Sequence, residues 1–156
     1  MGKLYKFGNE VENLIDLNEY KCNGVNSEYT YDYNLKQYTI KATVDNRNSG
    51  ISKDCENVCE LNKIYTIGYK IKAESNIKYS ILINEYKAWN TIKTFASSIE
   101  SNGKWIEIKH SFTATKESYK FIFAAQNCAK GSIFYLKDMF LIQGDYTNKK
   151  LPDSLF

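Results

Sequence analysis

The chain has 156 residues, 43% of them hydrophobic, with 21 basic against 18 acidic side chains and a net charge of +3, which fits one domain with a buried core. The charge sits on lysines scattered through strand-like segments, with Arg47 the one arginine, so nucleic acid is not an expected partner. No window reaches the length of a membrane span, and MGKLYKFGNEVENLID lacks the apolar centre of a signal peptide, so a protein without membrane insertion and without Sec-type export is expected.

In chain order, EYTYDYN puts Tyr29, Tyr31 and Tyr33 on one parity and Thr30, Asp32 and Asn34 on the other. Facing outward the phenols would form a stacking platform; facing inward they are core, and the polar opposite parity favours the inward reading. QYTIKATV continues the alternation with Tyr38, Ile40, Ala42 and Val44 inward. NSGISKDCENVCELN breaks it and reads as a helix or irregular insertion. KIYTIGYKIKAE is a strand with one wet face, its Tyr65, Ile67, Tyr69, Ile71 and Ala73 inward, and ESNIK reads as the hairpin turn that follows. In IKYSILINEY, Ile81 and Ile83 oppose Ser80, Leu82 and Asn84, where Leu82 spoils the alternation. A turn at Ser101-Asn102-Gly103 leads into WIEIKHSFTAT, with Ile106, Ile108, His110 and Phe112 together. SYKFIFAAQN places Tyr119, Phe121, Phe123 and Ala125 together, opposite Lys120, Ile122, Ala124 and Gln126.

The last strand, in GSIFYLKDMFLIQGDYTNKKLP, is apolar on both parities. A bulge near Lys137-Asp138 would put Phe134 and Leu136, then Met139 and Leu141, on the core side. Phe140 and Ile142 would then face out, under cover from the N-terminal segment or a partner subunit. The polar residues beyond, with Pro152 past the last strand, read as a linker or tail over 146–156, after a domain over 1–145. Short strands in this number, with almost no helix signal, predict an all-β fold, a single antiparallel β-sandwich.

Few residues offer reactive chemistry. His110 is the one histidine, its parity points inward, and neither GxSxG nor HExxH is present, so no enzyme is expected. Cys55 and Cys59 are four apart, whereas Cys22 and Cys128 lie far from them. Buried or free thiols are the favoured reading over a disulfide or zinc. NEYKAWN has the composition of a sugar site: Trp89 and Tyr86 to stack, and Asn84, Glu85 and Asn90 to hydrogen-bond. The competing role for Trp89 is a lid on the core. Gln126 and Asn127 are rim candidates, or caps of the turn before Gly131.

NLIDLNEY, LNKIYTIGYKIKAE, GKWIEIKHSFTAT, YKFIFAA and IFYLKDMFLI, in that order from Asn13 to Gln143, resemble the jelly-roll carbohydrate-binding modules of the family 4/9 type. The resemblance implies a jelly roll, a glycan partner and a packing role for Trp105 at a strand start. Such modules carry two acidic residues at the bulge of the closing strand, where they help hold a structural calcium. Here that pair is Lys137-Asp138, and an ammonium at a ligand position argues against calcium. Asp138 with Asn18 or Glu19 is the residual metal set, against a salt bridge that pins the bulge; no other cofactor is implied.

QGDYTNKKLPD is similar to the segment that follows such modules in bacteriophage tail and tail-fibre proteins. That likeness implies a virion component assembled in the host cytoplasm, with a bacterial surface or cell-wall glycan and other tail subunits, or copies of itself, as partners. The alternative is a structural or oligomerisation sandwich without a sugar site, in which Phe140 meets another chain.

Overall fold

A computed structural model describes residues 3–6, 9–17, 21–151 and 155–156. Among these the strands are, in chain order, β1 (Lys3–Lys6), β2 (Asn9–Glu12), β3 (Asn23–Val25), β4 (Ser27–Asp32), β5 (Gln37–Ala42) and β6 (Arg47–Cys55). They continue with β7 (Ile64–Lys72), β8 (Asn76–Glu85), β9 (Thr91–Glu100), β10 (Ile106–Thr113), β11 (Tyr119–Cys128) and β12 (Ile133–Gln143). β1 and β2 form a separate hairpin, and the rest form two sheets of five strands: sheet one, in the order β10-β7-β12-β5-β4, and sheet two, in the order β3-β6-β11-β8-β9. Every pairing is antiparallel. The fold is the antiparallel β-sandwich that the alternation predicts.

The inward parities meet in one core that includes Tyr38, Ile40, Tyr65, Ile67, Tyr69, Ile71, Ile81, Ile83, Phe121, Phe123, Phe134 and Leu141. Tyr69 of sheet one is fully buried, and its hydroxyl reaches the carbonyls of Ala124 at 2.8 Å and Ser80 at 3.1 Å in sheet two. That contact ties the layers together while satisfying a phenol that burial keeps protonated, its pKa pushed well above the usual value.

Several sequence expectations need correction. The stretch 48–62, read as helix or insertion, begins as β6, paired with β3 on one side and β11 on the other. Its serines and glycine hid it, and Gly50 is there because β11 is too close for a side chain: a Cβ would lie 2.0 Å from the Phe123 carbonyl oxygen. ESNIK is not a hairpin turn, since β7 and β8 belong to different sheets; local sequence does not distinguish a turn back from an arch across. Val44 lies beyond the end of β5 and is exposed, and Tyr33 lies beyond β4, 62% exposed, while Tyr29 and Tyr31 pack against the core as read.

β12 carries the expected bulge. Its register against β7 shifts between Lys137 and Phe140, and Asp138 has φ +53. Met139 and Leu141 then face the core, and Phe140 and Ile142 face out. Asn13 closes the gap in the ladder: its Nδ2 donates to the Met139 carbonyl at 3.2 Å and its Oδ1 accepts from the Leu141 N–H at 3.1 Å. Among the described residues the cover on Phe140 and Ile142 comes from the segment after residue 144: Leu151, Leu155 and Tyr146 pack on the pair, and the Phe156 ring lies 5.8 Å from that of Phe140. Thr66 turns this segment back, donating to the Gly144 carbonyl at 2.7 Å and accepting from the Tyr146 N–H at 2.8 Å. The Phe140 ring lies over Gly68, where a Cβ would come within 2.8 Å of it.

Candidate functional site

The turn between β8 and β9 is closed by the Glu85 N–H on the Asn90 carbonyl at 2.9 Å and the Ala88 N–H on the Glu85 carbonyl at 3.1 Å, with Lys87 at φ +54. The Lys87 N–H donates to Asp54 of β6 at 2.8 Å, which draws the turn over the outer face of sheet two. Trp89 rides on this turn with 64% of its surface exposed, so the lid-on-the-core role fails. The Lys120 ammonium lies 3.9 Å from the indole centroid, itself beside Asp54 at 3.9 Å. A cation on the face of an indole is held by the ring quadrupole, which fixes the plane of an otherwise solvated side chain.

Trp89 is one wall of a cleft of about 180 Å³. Val25, Leu82 and Ile122 supply apolar surface, and Asn26, Arg47, Asn48 and Thr91 supply polar groups. The strand register explains this. Gly50, Ala124, Ser80 and Ala96 are paired partner to partner across β6, β11, β8 and β9, and the next row is Ser52, Ile122, Leu82 and Thr94. A row of small residues beside a row with two branched aliphatics makes a trough that crosses the strands. Asn26 Nδ2 donates to the Asn48 carbonyl at 3.0 Å, and Asn48 Oδ1 accepts from Ser80 at 3.1 Å, which ties the polar rim to the floor.

Of the residues singled out in the sequence, only Trp89 and Asn84 line this cleft. Asn84 is buried and occupied, its Oδ1 accepting from Thr91 at 2.8 Å and its Nδ2 directed at the Ala88 carbonyl at 3.4 Å, so it positions the turn. Glu85 and Asn90 pair with each other at 3.5 Å, and the Lys87 ammonium sits 5.3 Å from the half-buried Tyr86 ring. Gln126 belongs to a separate cavity of about 480 Å³ with Glu74, Asn76, Lys78 and Phe134. Arg47 and Asn48 were missed because they flank and open the misread stretch, and Val25 and Asn26 because β3, which pairs with that stretch, has only three residues and shows no alternation. Leu82 and Ile122 left a signal, as apolar residues on the wet parity of their strands.

Trp105 is half-buried on the outer face of sheet one, with the ammonium groups of Lys137 at 4.4 Å and Lys72 at 4.9 Å over its ring. Asp138 pairs with Lys70 at 3.2 Å, so the carboxylate at the bulge is matched by an ammonium on the neighbouring strand. Glu19 and Asn18, its candidate co-ligands, lie outside the described residues. Among the described residues no three His, Cys, Asp or Glu side chains gather as a metal site.

Among the described residues no Asp or Glu lines the cleft, so its described lining holds no pair of carboxylates of the kind glycoside hydrolysis uses. His110 is engaged at the edge of the sandwich, its Nε2 2.8 Å from the Tyr79 hydroxyl and its ring stacked on Phe95 at 4.3 Å. None of the four cysteines is in a disulfide and all are buried, and burial pushes the thiols of Cys55 to about 11 and Cys59 to about 12, leaving them protonated and unreactive at neutral pH.

No protein-family model matches the sequence, and no curated protein matches it. Among solved structures the chain is similar to a family 4 carbohydrate-binding module, with 16% identity, a TM-score of 0.60 and 78% of each chain covered. It is similar to the N-terminal cellulose-binding domain of a β-1,4-glucanase from Cellulomonas fimi, with 14% identity, a TM-score of 0.58, 82% of this chain and 91% of that one covered. It is also similar to the enzymatically active domain of a tailspike protein of bacteriophage CBA120, with 9% identity and a TM-score of 0.54, over 80% of this chain and 19% of that one. At these identities the likeness shows the fold: a β-sandwich of the jelly-roll type seen in carbohydrate-binding modules.

Proposed function

We propose that the protein is a non-catalytic glycan-binding module that takes a saccharide on the outer face of sheet two. The observation that carries this reading is Trp89, 64% exposed yet held in plane by Lys120 at 3.9 Å, beside an apolar floor and an amide-bearing rim. A pyranose ring has an apolar face that an indole can cover, and its edge of hydroxyls needs donors and acceptors around that platform. Such a ring, large in area with few rotamers to freeze, is the kind of residue that dominates a binding energy. The fold shared with carbohydrate-binding modules supports the reading.

The finer proposal is that the module is carried on a bacteriophage tail or a related particle and meets a bacterial surface glycan. The tail-like segment QGDYTNKKLPD and the similarity to a tailspike domain support it. The test is retention of the protein on intact bacterial cells, isolated cell walls and immobilised polysaccharides. Trp89→Ala is expected to weaken retention about tenfold or more, and Trp105→Ala, on the opposite sheet, to leave it unchanged. Equal retention of wild type and Trp89→Ala on every surface overturns the reading.

A further inference from the structure

The cleft beside Trp89 is unbalanced in its hydrogen-bonding groups, and this imbalance, taken with the glycan-binding reading on which it rests, says what class of sugar the cleft takes. Two of its amide oxygens are already engaged. Asn84 Oδ1 takes the Thr91 proton at 2.8 Å and Asn48 Oδ1 takes the Ser80 proton at 3.1 Å. No carboxylate of the described residues lines the cleft. Its one cationic donor is open. Arg47, the one arginine of the chain, lines the cleft and makes no ion pair among the described residues, so its five N–H groups are uncommitted. The Asn48 Nδ2 adds two more, and the Lys120 ammonium behind the indole adds positive charge with Asp54 3.9 Å away as its partial counter-ion.

A neutral sugar presents hydroxyls that donate and accept in equal measure, and it is served best by carboxylates and carbonyls placed among donors. An anionic group accepts only, and a guanidinium holds its two oxygens with paired N–H bonds. We infer that the ligand is an anionic glycan, its charge on a carboxylate or a phosphodiester, with the sugar ring on Trp89 and the anion on Arg47. Both side chains line the same cleft of about 180 Å³.

Affinity electrophoresis through gels containing polygalacturonate, glycerol-phosphate teichoic acid or neutral xylan tests this, with wild type, Arg47→Gln, Arg47→Lys and Trp89→Ala. Retardation by at least one of the polyanions is expected, weakened about tenfold by Arg47→Gln, partly restored in Arg47→Lys and reduced by added salt. Which polyanion is held identifies the carboxylate or the phosphodiester. Retention on xylan through Trp89 with no preference for either polyanion overturns the inference and leaves the Trp89 platform standing. So does polyanion retention that Arg47→Gln does not change. Failure of Trp89→Ala to alter migration in any gel overturns both.

Discussion

His110 shows how one side chain reports on the meeting of the sheets. It lies on β10, an edge strand of sheet one, and its ring is stacked on Phe95 of β9, an edge strand of sheet two, with Tyr79 of β8 bonded to Nε2. Burial lowers its pKa from the usual 6.5, and the nearest cation on the facing strand, Lys93, sits 5.4 Å from the Phe95 ring. The unfolded chain therefore binds a proton before the folded one does, and stability falls as pH drops below about 6.5, levelling once the folded imidazole is also protonated. Melting temperature is expected to fall between about pH 7.5 and about 5.5 in wild type and to fall less in His110→Phe; parallel curves would show that the imidazole contributes nothing. The inward parity of His110 was legible in its spacing from Ile106, Ile108 and Phe112. Trp89 was equally legible as an aromatic among amides, but Arg47 was not, because the residues after it disguise a strand as an insertion, and its place in one cleft with Trp89 arises from register between strands far apart in sequence.

At the scale of elements, β12 is where sequence reading went furthest and then stopped. Loss of alternation at Met139-Phe140-Leu141-Ile142 located the bulge and the outward pair, since only an added residue returns both halves of the strand to the core. What covers that pair was not legible: TNKK is polar, and Leu151 and Leu155, two leucines with Pro152 between them, are too few to set a period. They are buried only because Thr66 bonds both Gly144 and Tyr146 and reverses the chain. Leu155→Ala, at a fully buried site, is expected to cost about 2–5 kcal/mol, measured by denaturant unfolding. A change below about 0.5 kcal/mol would mean that the segment does not dock in solution. The interaction surface once assigned to Phe140 is, in this fold, an internal contact.

For the whole molecule, stability rests on the packed core between two sheets and on no covalent link. Four buried cysteines with no disulfide among them predict that reductant leaves the melting temperature unchanged, and a marked drop on adding it would reveal a disulfide. The sandwich was legible because period-two alternation survives in most strands, whereas the arrangement of strands within the sheets was not, since links such as ESNIK look alike whether they turn back or cross.

The docking of Leu155 and Phe156 against Phe140 puts the last residues on the outer side of sheet one, with the indole of Trp89 on the outer side of sheet two. A peptide handle or fluorophore fused after Phe156 would therefore hang from the far side of the molecule. Anchored to a sensor chip by that handle, the module would present its sugar-contacting surface to the solution with both layers of the sandwich between it and the support.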